Sequence, residues 1–274
     1  MNLGLFSLPI APLILFASVA AALLAARFAG KAAAAGTDNA VFMALLVGLV
    51  AARLVFVGRY LPAYEGSVLK MLDFRDLGFD GTAGVVAGAA VAAWLLWRRR
   101  AMRRPLAAAL VAGVATWSVA TAAAEYARPP QTVPAVQLVD DRGQIESLAR
   151  RDGKPLVVNL WATWCPPCQA EMPSLAKAQA QHAGIDMVFV NQGETRDTIA
   201  GFLQAHDIRI EHSLLDPRLE VARAVKAAGY PTTLFYDAQG RLVASHLGPF
   251  SAATFQQALE QLYPQQMRMP EASR

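Results

Sequence analysis

The hydrophobic pattern divides this chain near its middle. Residues 5–28, 39–57, 81–97 and 105–126 are long stretches rich in Ala, Val, Leu and Gly, with few charges inside them. Each approaches the ~20 apolar residues that a helix needs to cross the hydrocarbon of a bilayer. One such stretch alone would fit a buried helix of a soluble protein, whereas four in succession predict four membrane-spanning helices. The first has no basic segment ahead of its apolar run, so it reads as a span rather than a cleaved export signal.

After Tyr126 the pattern shortens and alternates. Val136 to Ile145 reads as a hairpin with a polar turn at Asp140 to Gly143. Lys154-Pro-Leu-Val-Val-Asn-Leu-Trp161 and Ile185-Asp-Met-Val-Phe-Val-Asn191 are apolar runs of strand length, as in a buried parallel sheet. Helices are expected from Cys168, from Thr195 to His206 behind a Thr cap, from Pro217 to Ala228 before Gly229, and from Ser251 to Leu262. A short strand is expected at Arg209 to Leu215, and an antiparallel pair at Thr233 to Tyr236 and Leu242 to Leu247. Strands and helices in this order predict an α/β sandwich. Arg128-Pro-Pro-Gln-Thr-Val-Pro134 is a short stiff linker between the halves.

Charge orients the first half. With four spans both termini lie on one side, and the first and third loops share the other. Those loops hold Arg27, Lys31 and the cluster Arg98, Arg99, Arg100, Arg103 and Arg104; the second loop mixes Arg59, Lys70 and Arg75 with Glu65, Asp73, Asp76 and Asp80. The excess of arginine places the third loop in the cytoplasm and the C-terminal half outside it, in the periplasm. Residues 1–128 carry 12 Lys/Arg against 6 Asp/Glu, and residues 129–274 carry 13 against 15. The basic character therefore belongs to the membrane half, and no nucleic-acid footprint remains.

The chain has two cysteines, Cys165 and Cys168, inside Trp161-Ala-Thr-Trp164-Cys165-Pro166-Pro167-Cys168. A disulfide framework spreads several cysteines through a fold, and a closed zinc site needs four ligands. A solitary C-x-x-C between a strand and a helix suits reversible dithiol–disulfide exchange, in which one sulfur attacks and the other resolves the mixed intermediate. Pro166 and Pro167 fit a first helical turn, where their missing N–H groups go unused. Cys165 then stands at a helix N-terminus, whose dipole favours a thiolate, while Cys168 one turn in is the more buried, resolving thiol. His182, His206, His212 and His246 are scattered away from the pair and read as surface or structural residues, so no metal site and no cofactor is expected.

The segment WATWCPPCQAEMP resembles the thioredoxin superfamily, in the form carried by its membrane-anchored TlpA/ResA branch. Gly229-Tyr230-Pro231-Thr232-Thr233-Leu234-Phe235 is similar to that superfamily's cis-proline loop. The resemblance runs from about Val133 to Tyr263. It implies a cis bond between Tyr230 and Pro231, a peptide-binding surface at Trp164 and Tyr230, and a Pro231 that keeps metal from both sulfurs. Asn159 stands where thioredoxins usually place a buried aspartate. Glu171 matches an acidic residue near the cysteines of ResA-like proteins, where a raised pKa would let it take the Cys168 proton; the plainer alternative is a first-turn acid matched to the helix dipole. Pro173 matches a helix-kinking proline.

The membrane half carries a second resemblance. Leu45 to Val57, Asp76-Leu-Gly-Phe-Asp80-Gly81 and the arginines after the third span resemble the middle of prolipoprotein diacylglyceryl transferase, with Arg53 at its membrane arginine. The family's essential histidine aligns with Asp80, and its later Gly-Arg motif has no counterpart, so lipid transfer is not expected. Arg53 inside a span calls for a partner such as Asp73, Asp76 or Asp80, or for snorkelling to the headgroups.

The expected organisation is a four-helix membrane domain over 1–128, a linker at 129–134, a thioredoxin-like α/β domain over 135–264 and a frayed tail at 265–274. The expected function is that of a thiol:disulfide oxidoreductase in the inner membrane with its redox domain in the periplasm. The resemblance implies that it reduces disulfides of exported proteins, such as apocytochrome c or copper-site thiols. Its membrane helices hold no cysteine to relay electrons, so a DsbD/CcdA-like donor is implied. A dithiol oxidase, or a transferase-related protein with a redox domain, are the alternatives.

Overall fold

In the computed structural model, which describes residues 10–30, 34–73, 76–127, 130–149 and 153–268, the apolar stretches are helices. They are α1 (Ile10–Ala29), α2 (Ala34–Arg59), then, after a short α3 (Val68–Leu72), α4 (Gly81–Arg98) and α5 (Arg103–Tyr126). All but α3 are long and apolar enough to cross a membrane. Residues 5–9 of the first expected span, Lys31, Arg75, Arg128 and Pro129 of the expected linker, and residues 269–274 of the expected tail lie outside the described residues. The chain divides into two compact units, Met1–Pro62 with Leu77–Pro129 and Ala63–Asp76 with Pro130–Arg274.

Within the first unit the helices pack through small residues. Ala44, Gly48 and Ala52 of α2 recur every four residues and meet Gly84 and Gly88 of α4. A Cβ on Gly48 would lie 2.9 Å from the Gly84 carbonyl oxygen, and one on Gly88 3.2 Å from that of Ala44. Ala22 and Ala26 of α1 and Ala109 of α5 are buried together, and a Cβ on Gly113 would sit 3.3 Å from that of Ala22. Where lipid is as apolar as leucine, such backbone approach supplies the packing energy between helices. Arg53, expected to need a partner, has several contacts here. It donates to the Gly78 carbonyl at 2.7 Å and lies over the rings of Phe56 and Phe79 at 5.7 and 5.8 Å. Asp80 instead caps α4 through Ala83 N–H and pairs with Arg59 at 3.1 Å. A planar guanidinium can donate to a carbonyl and lie against ring faces at the same time.

The second unit carries a seven-stranded sheet: β1 (Gln137–Asp140), β2 (Ile145–Ser147), β3 (Leu156–Trp161), β4 (Asp186–Gln192), β5 (Ser213–Asp216), β6 (Thr232–Tyr236) and β7 (Leu242–Leu247). Their order is β2-β1-β5-β4-β3-β6-β7, with β3, β4 and β5 parallel and the other pairings antiparallel. Every residue of β3 and β6 is buried, as central strands covered on both faces require. α6 (Pro166–Gln181), α7 (Arg196–Ala205), α8 (Glu220–Ala224), α9 (Ala252–Leu262) and α10 (Pro264–Arg268) complete the unit. On one side of the sheet Trp161, Met172, Phe189, Phe235 and Leu259 form a core; on the other Leu138, Val158, Leu160, Val190 and Val221 form a second.

Several boundaries differ from the sequence pattern. The helix expected at Pro217 to Ala228 shrinks to α8, because Leu219 takes a left-handed conformation (φ 56°) and Lys226 another (φ 54°). The strand expected from Arg209 starts only at Ser213, after His212 at φ 54°. Part of the expected frayed tail is α10. The second loop, between α2 and α4, holds a 3-10 turn at Leu61–Tyr64 and α3, capped by Ser67.

Candidate active site

β3 delivers the chain to a turn at 162–164, and Cys165 follows as the N-cap of α6, with Pro166 and Pro167 at the first helical positions. Cys165 Sγ accepts from Cys168 N–H at 3.3 Å, so its sulfur sits at the free donors of the first turn. Cys165 and Cys168 form a disulfide with Cα atoms 5.2 Å apart. Cys165 is 3 % exposed and Cys168 0 %. Both residues are buried, Cys165 slightly less so than Cys168.

Trp164 stands 63 % exposed beside the pair, and its ring meets that of Tyr230 edge to face at 6.1 Å. The Tyr230–Pro231 bond is cis. The loop that carries it leads into β6, which pairs with β3, so sheet register brings residues 65 positions apart in sequence to one end of the sheet. Burial pushes the Tyr230 hydroxyl up, and Asp216 adds to the shift. Tyr230 hydroxyl donates to Gln192 Oε1 at 3.4 Å, and Gln192 Nε2 reaches Asp216 at 3.4 Å.

Glu171 is fully buried and lies beyond the first turn of α6, so it is not the first-turn acid of the plainer alternative. Asn159 Nδ2, from β3, donates to its Oε1 at 2.8 Å and to Thr233 Oγ1 at 3.1 Å. Phe250 N–H, from the loop before α9, donates to its Oε2 at 2.8 Å. Desolvation outweighs both bonds and raises the Glu171 carboxyl from 4.5 to about 7. Glu171 and Cys168 are three positions apart on one helix and therefore share a face. Pro173 lies inside α6 and offers no N–H to the Gln169 carbonyl.

Sequence reasoning missed Glu194 and Thr163. Thr163 N–H donates to Glu194 Oε2 at 2.7 Å, and its hydroxyl donates to Oε1. Asn191 Nδ2 donates to the same carboxylate at 2.7 Å. The only trace in the sequence is a polar run, Asn191-Gln192-Gly193-Glu194, after a buried strand. Its partner lies 31 residues away and is joined to it by the β3–β4 pairing. His206 and His246 stack on Phe202 and Phe250. Among the described residues no three His, Cys, Asp or Glu side chains gather in a group able to hold a metal ion.

Comparison with known proteins places the Redoxin family model on residues 129–262. The thiol:disulfide interchange protein DsbE of Vibrio cholerae is 30% identical over 135 residues, covering 48% of this chain and 72% of its own length. The thiol-disulfide oxidoreductase ResA of Halalkalibacterium halodurans is 28% identical over 130 residues, 47% of this chain and 73% of its own. A solved thiol:disulfide interchange protein of the thioredoxin family from Chlorobium tepidum is 27% identical, with 49% of this chain and 97% of that one covered and a TM-score of 0.43.

Proposed function

This chain belongs to the Redoxin family as a thiol–disulfide oxidoreductase of the ResA and DsbE type, and we propose that it is a membrane-anchored reductase whose Cys165–Cys168 pair opens disulfides in exported proteins. The observation that carries this reading is the chain's only two cysteines, joined at the N-cap of α6 beside a cis-proline loop.

In the reduced protein the N-terminus of α6 stabilises Cys165 as a thiolate. The thiolate attacks one sulfur of a target disulfide; the target S–S bond breaks, a mixed disulfide forms, and the first target thiolate leaves. Cys168 then loses its proton to Glu171 and attacks Cys165 Sγ, releasing the second target thiolate and closing the Cys165–Cys168 disulfide. Two electrons pass from the pair to the target. A carboxyl with a pKa of about 7 suits this step, since it accepts the proton near neutrality and returns it when the pair is reduced again. The exposed Trp164 and the Tyr230 edge form the surface on which the target chain lies.

The four apolar helices anchor the protein in the inner membrane. The arginines at 98–104 lie on the cytoplasmic side, which puts the redox domain in the periplasm. There a dithiol must be rereduced against an oxidising environment. The membrane helices contain no cysteine, so a DsbD/CcdA-like membrane protein supplies the electrons. Apocytochrome c and copper-site thiols are the proposed targets.

Trapping tests the reading. Cys168→Ser should accumulate mixed disulfides through Cys165, because attack proceeds without resolution, and Cys165→Ser should accumulate few. Equal trapping by the two variants would reject the assignment.

A further inference from the structure

The end of β4 and the connection after it hold two side chains to which the exchange reaction assigns no role, and each grips one lip of the site. Gln192 accepts from the Tyr230 hydroxyl. Glu194 binds the turn before Cys165 through both the N–H and the hydroxyl of Thr163. Gln169 Nε2 holds the other side of that turn, donating to the Thr163 carbonyl at 2.6 Å, and Cys165 N–H donates to Ala162 O at 3.3 Å. The turn is thus fastened from the connection after β4 and from α6, and Cys165 is the next residue but one after Thr163.

We propose that Glu194 is a positioning residue for Cys165: its carboxylate fixes the turn that presents the sulfur, and its negative charge offsets part of the helix field that acidifies the thiol. The inference rests on Cys165 being the attacking thiol. Neighbouring Cα atoms are 3.8 Å apart, so a carboxylate bonded to Thr163 N–H lies within about 10 Å of Cys165. At that range a partly buried charge moves a neighbouring titration by about 0.5–1 pH unit. The other titratable groups on the elements around Cys165 are Cys168, Glu171 and, about three turns on, Lys177 on α6, and Tyr230 on the cis-proline loop with Asp216 behind it. A thiol kept less acidic stabilises the reduced pair less, which makes the pair a stronger reductant; the strong oxidants of this chemistry show the opposite, a stabilised reduced form. Glu194 therefore biases the site toward reducing its targets.

The test uses the full-length protein in detergent micelles. Its two cysteines are the only thiols, so the pH dependence of iodoacetamide alkylation at Cys165, located by mass spectrometry, reads the attacking thiol directly. Glu194→Gln should titrate about 0.5–1 pH unit lower and shift the glutathione equilibrium three- to tenfold toward the dithiol. Glu194→Asp keeps the charge and should keep the wild-type titration. Thr163→Val removes one turn contact and leaves the charge, so attack on a model disulfide should slow several-fold at an unchanged titration. A Glu194→Gln titration at or above the wild-type value, with an unmoved equilibrium, overturns the proposal. So does a Thr163→Val variant that shifts the titration as far as Glu194→Gln. If Glu194→Gln does not fold, Thr163→Val decides through its attack rate, and an unchanged rate counts against the proposal. A wild-type protein that forms no mixed disulfide rejects the functional reading itself; one that does, with Glu194→Gln indistinguishable from it, rejects this inference alone.

Discussion

Glu171 is the residue whose environment says most about the site. It takes two hydrogen bonds, from Asn159 Nδ2 and Phe250 N–H, and still titrates at about 7 because burial outweighs them. Its folded-state pKa lies above its unfolded value, so the folded chain binds more protons than the unfolded one between them. Its contribution to stability is complete below about pH 4.5, falls as pH rises toward about 7, and is level beyond. A shift of this size corresponds to about 3 kcal/mol. In the oxidised protein, thermal melts from pH 4.5 to 8 should show a loss of stability that Glu171→Gln removes; parallel melting profiles would refute this. The same variant should slow reduction of a model disulfide, by less than the 10²–10⁴-fold of a chemistry-limited proton transfer, since thiol exchange is less demanding.

Two kinds of element hold their place for different reasons. In the first unit, α2 and α4 approach so closely that a Cβ on Gly48 would meet the Gly84 carbonyl at 2.9 Å. Gly48→Val should push the pair apart and lower the thermal midpoint of the micelle-bound protein, with an overpacking cost of about 1–3 kcal/mol. An unchanged midpoint would mean that the two helices do not rely on this contact. In the second unit, α9 depends on its start. Ser251 Oγ accepts from Thr254 N–H while Thr254 Oγ1 accepts from Ser251 N–H, a reciprocal capping box. Ser251→Ala should cost about 1 kcal/mol and raise amide exchange through the first turn of α9. Because Phe250 N–H, one residue earlier, binds Glu171, the same variant should also shift the titration of Glu171.

For the whole molecule, the charges at the ends of the four long helices and between them bear on which side of a membrane the redox unit faces. The arginines at 98–104 run from the last residue of α4 to the first turn of α5, and the residues from Pro130 onward follow α5. Alkaline phosphatase fused after Arg274 should be active and β-galactosidase at the same point inactive; the reverse pair of results would invert the proposed orientation. Replacing residues 1–126 by one unrelated membrane helix should leave dithiol exchange in micelles intact, because both cysteines and their partners Asn159, Glu171 and Phe250 lie in the second unit. Loss of that exchange would assign the helical unit a part in the chemistry.

Local pattern determined much of this protein by itself. Four apolar runs of bilayer length specify four helices without reference to anything else. The apolar run ending at Trp161, followed by two prolines, places Cys165 at a helix start, because strand termination and first-turn geometry are short-range effects. The cap Thr195 was legible for the same reason, and so was a helix beginning at Ser251, which proves to be its cap. The left-handed residues Leu219 and Lys226 were not, since neither is a type that announces such a conformation, and α8 is shorter than its pattern. Tertiary structure alone decided the partners of the charged groups. Whether Glu171 is solvated or sealed depends on β3 and on a loop 79 residues away, and Glu194 reaches Thr163 only because β4 pairs in parallel with β3. Arg53 could be expected to need a partner, but that the Gly78 carbonyl and the rings of Phe56 and Phe79 meet it was decided by the chain's path between α2 and α4. Desolvation and hydrogen bonding act over a few ångströms of space, and a linear sequence records neither which groups the fold brings that close nor how completely it removes water from between them.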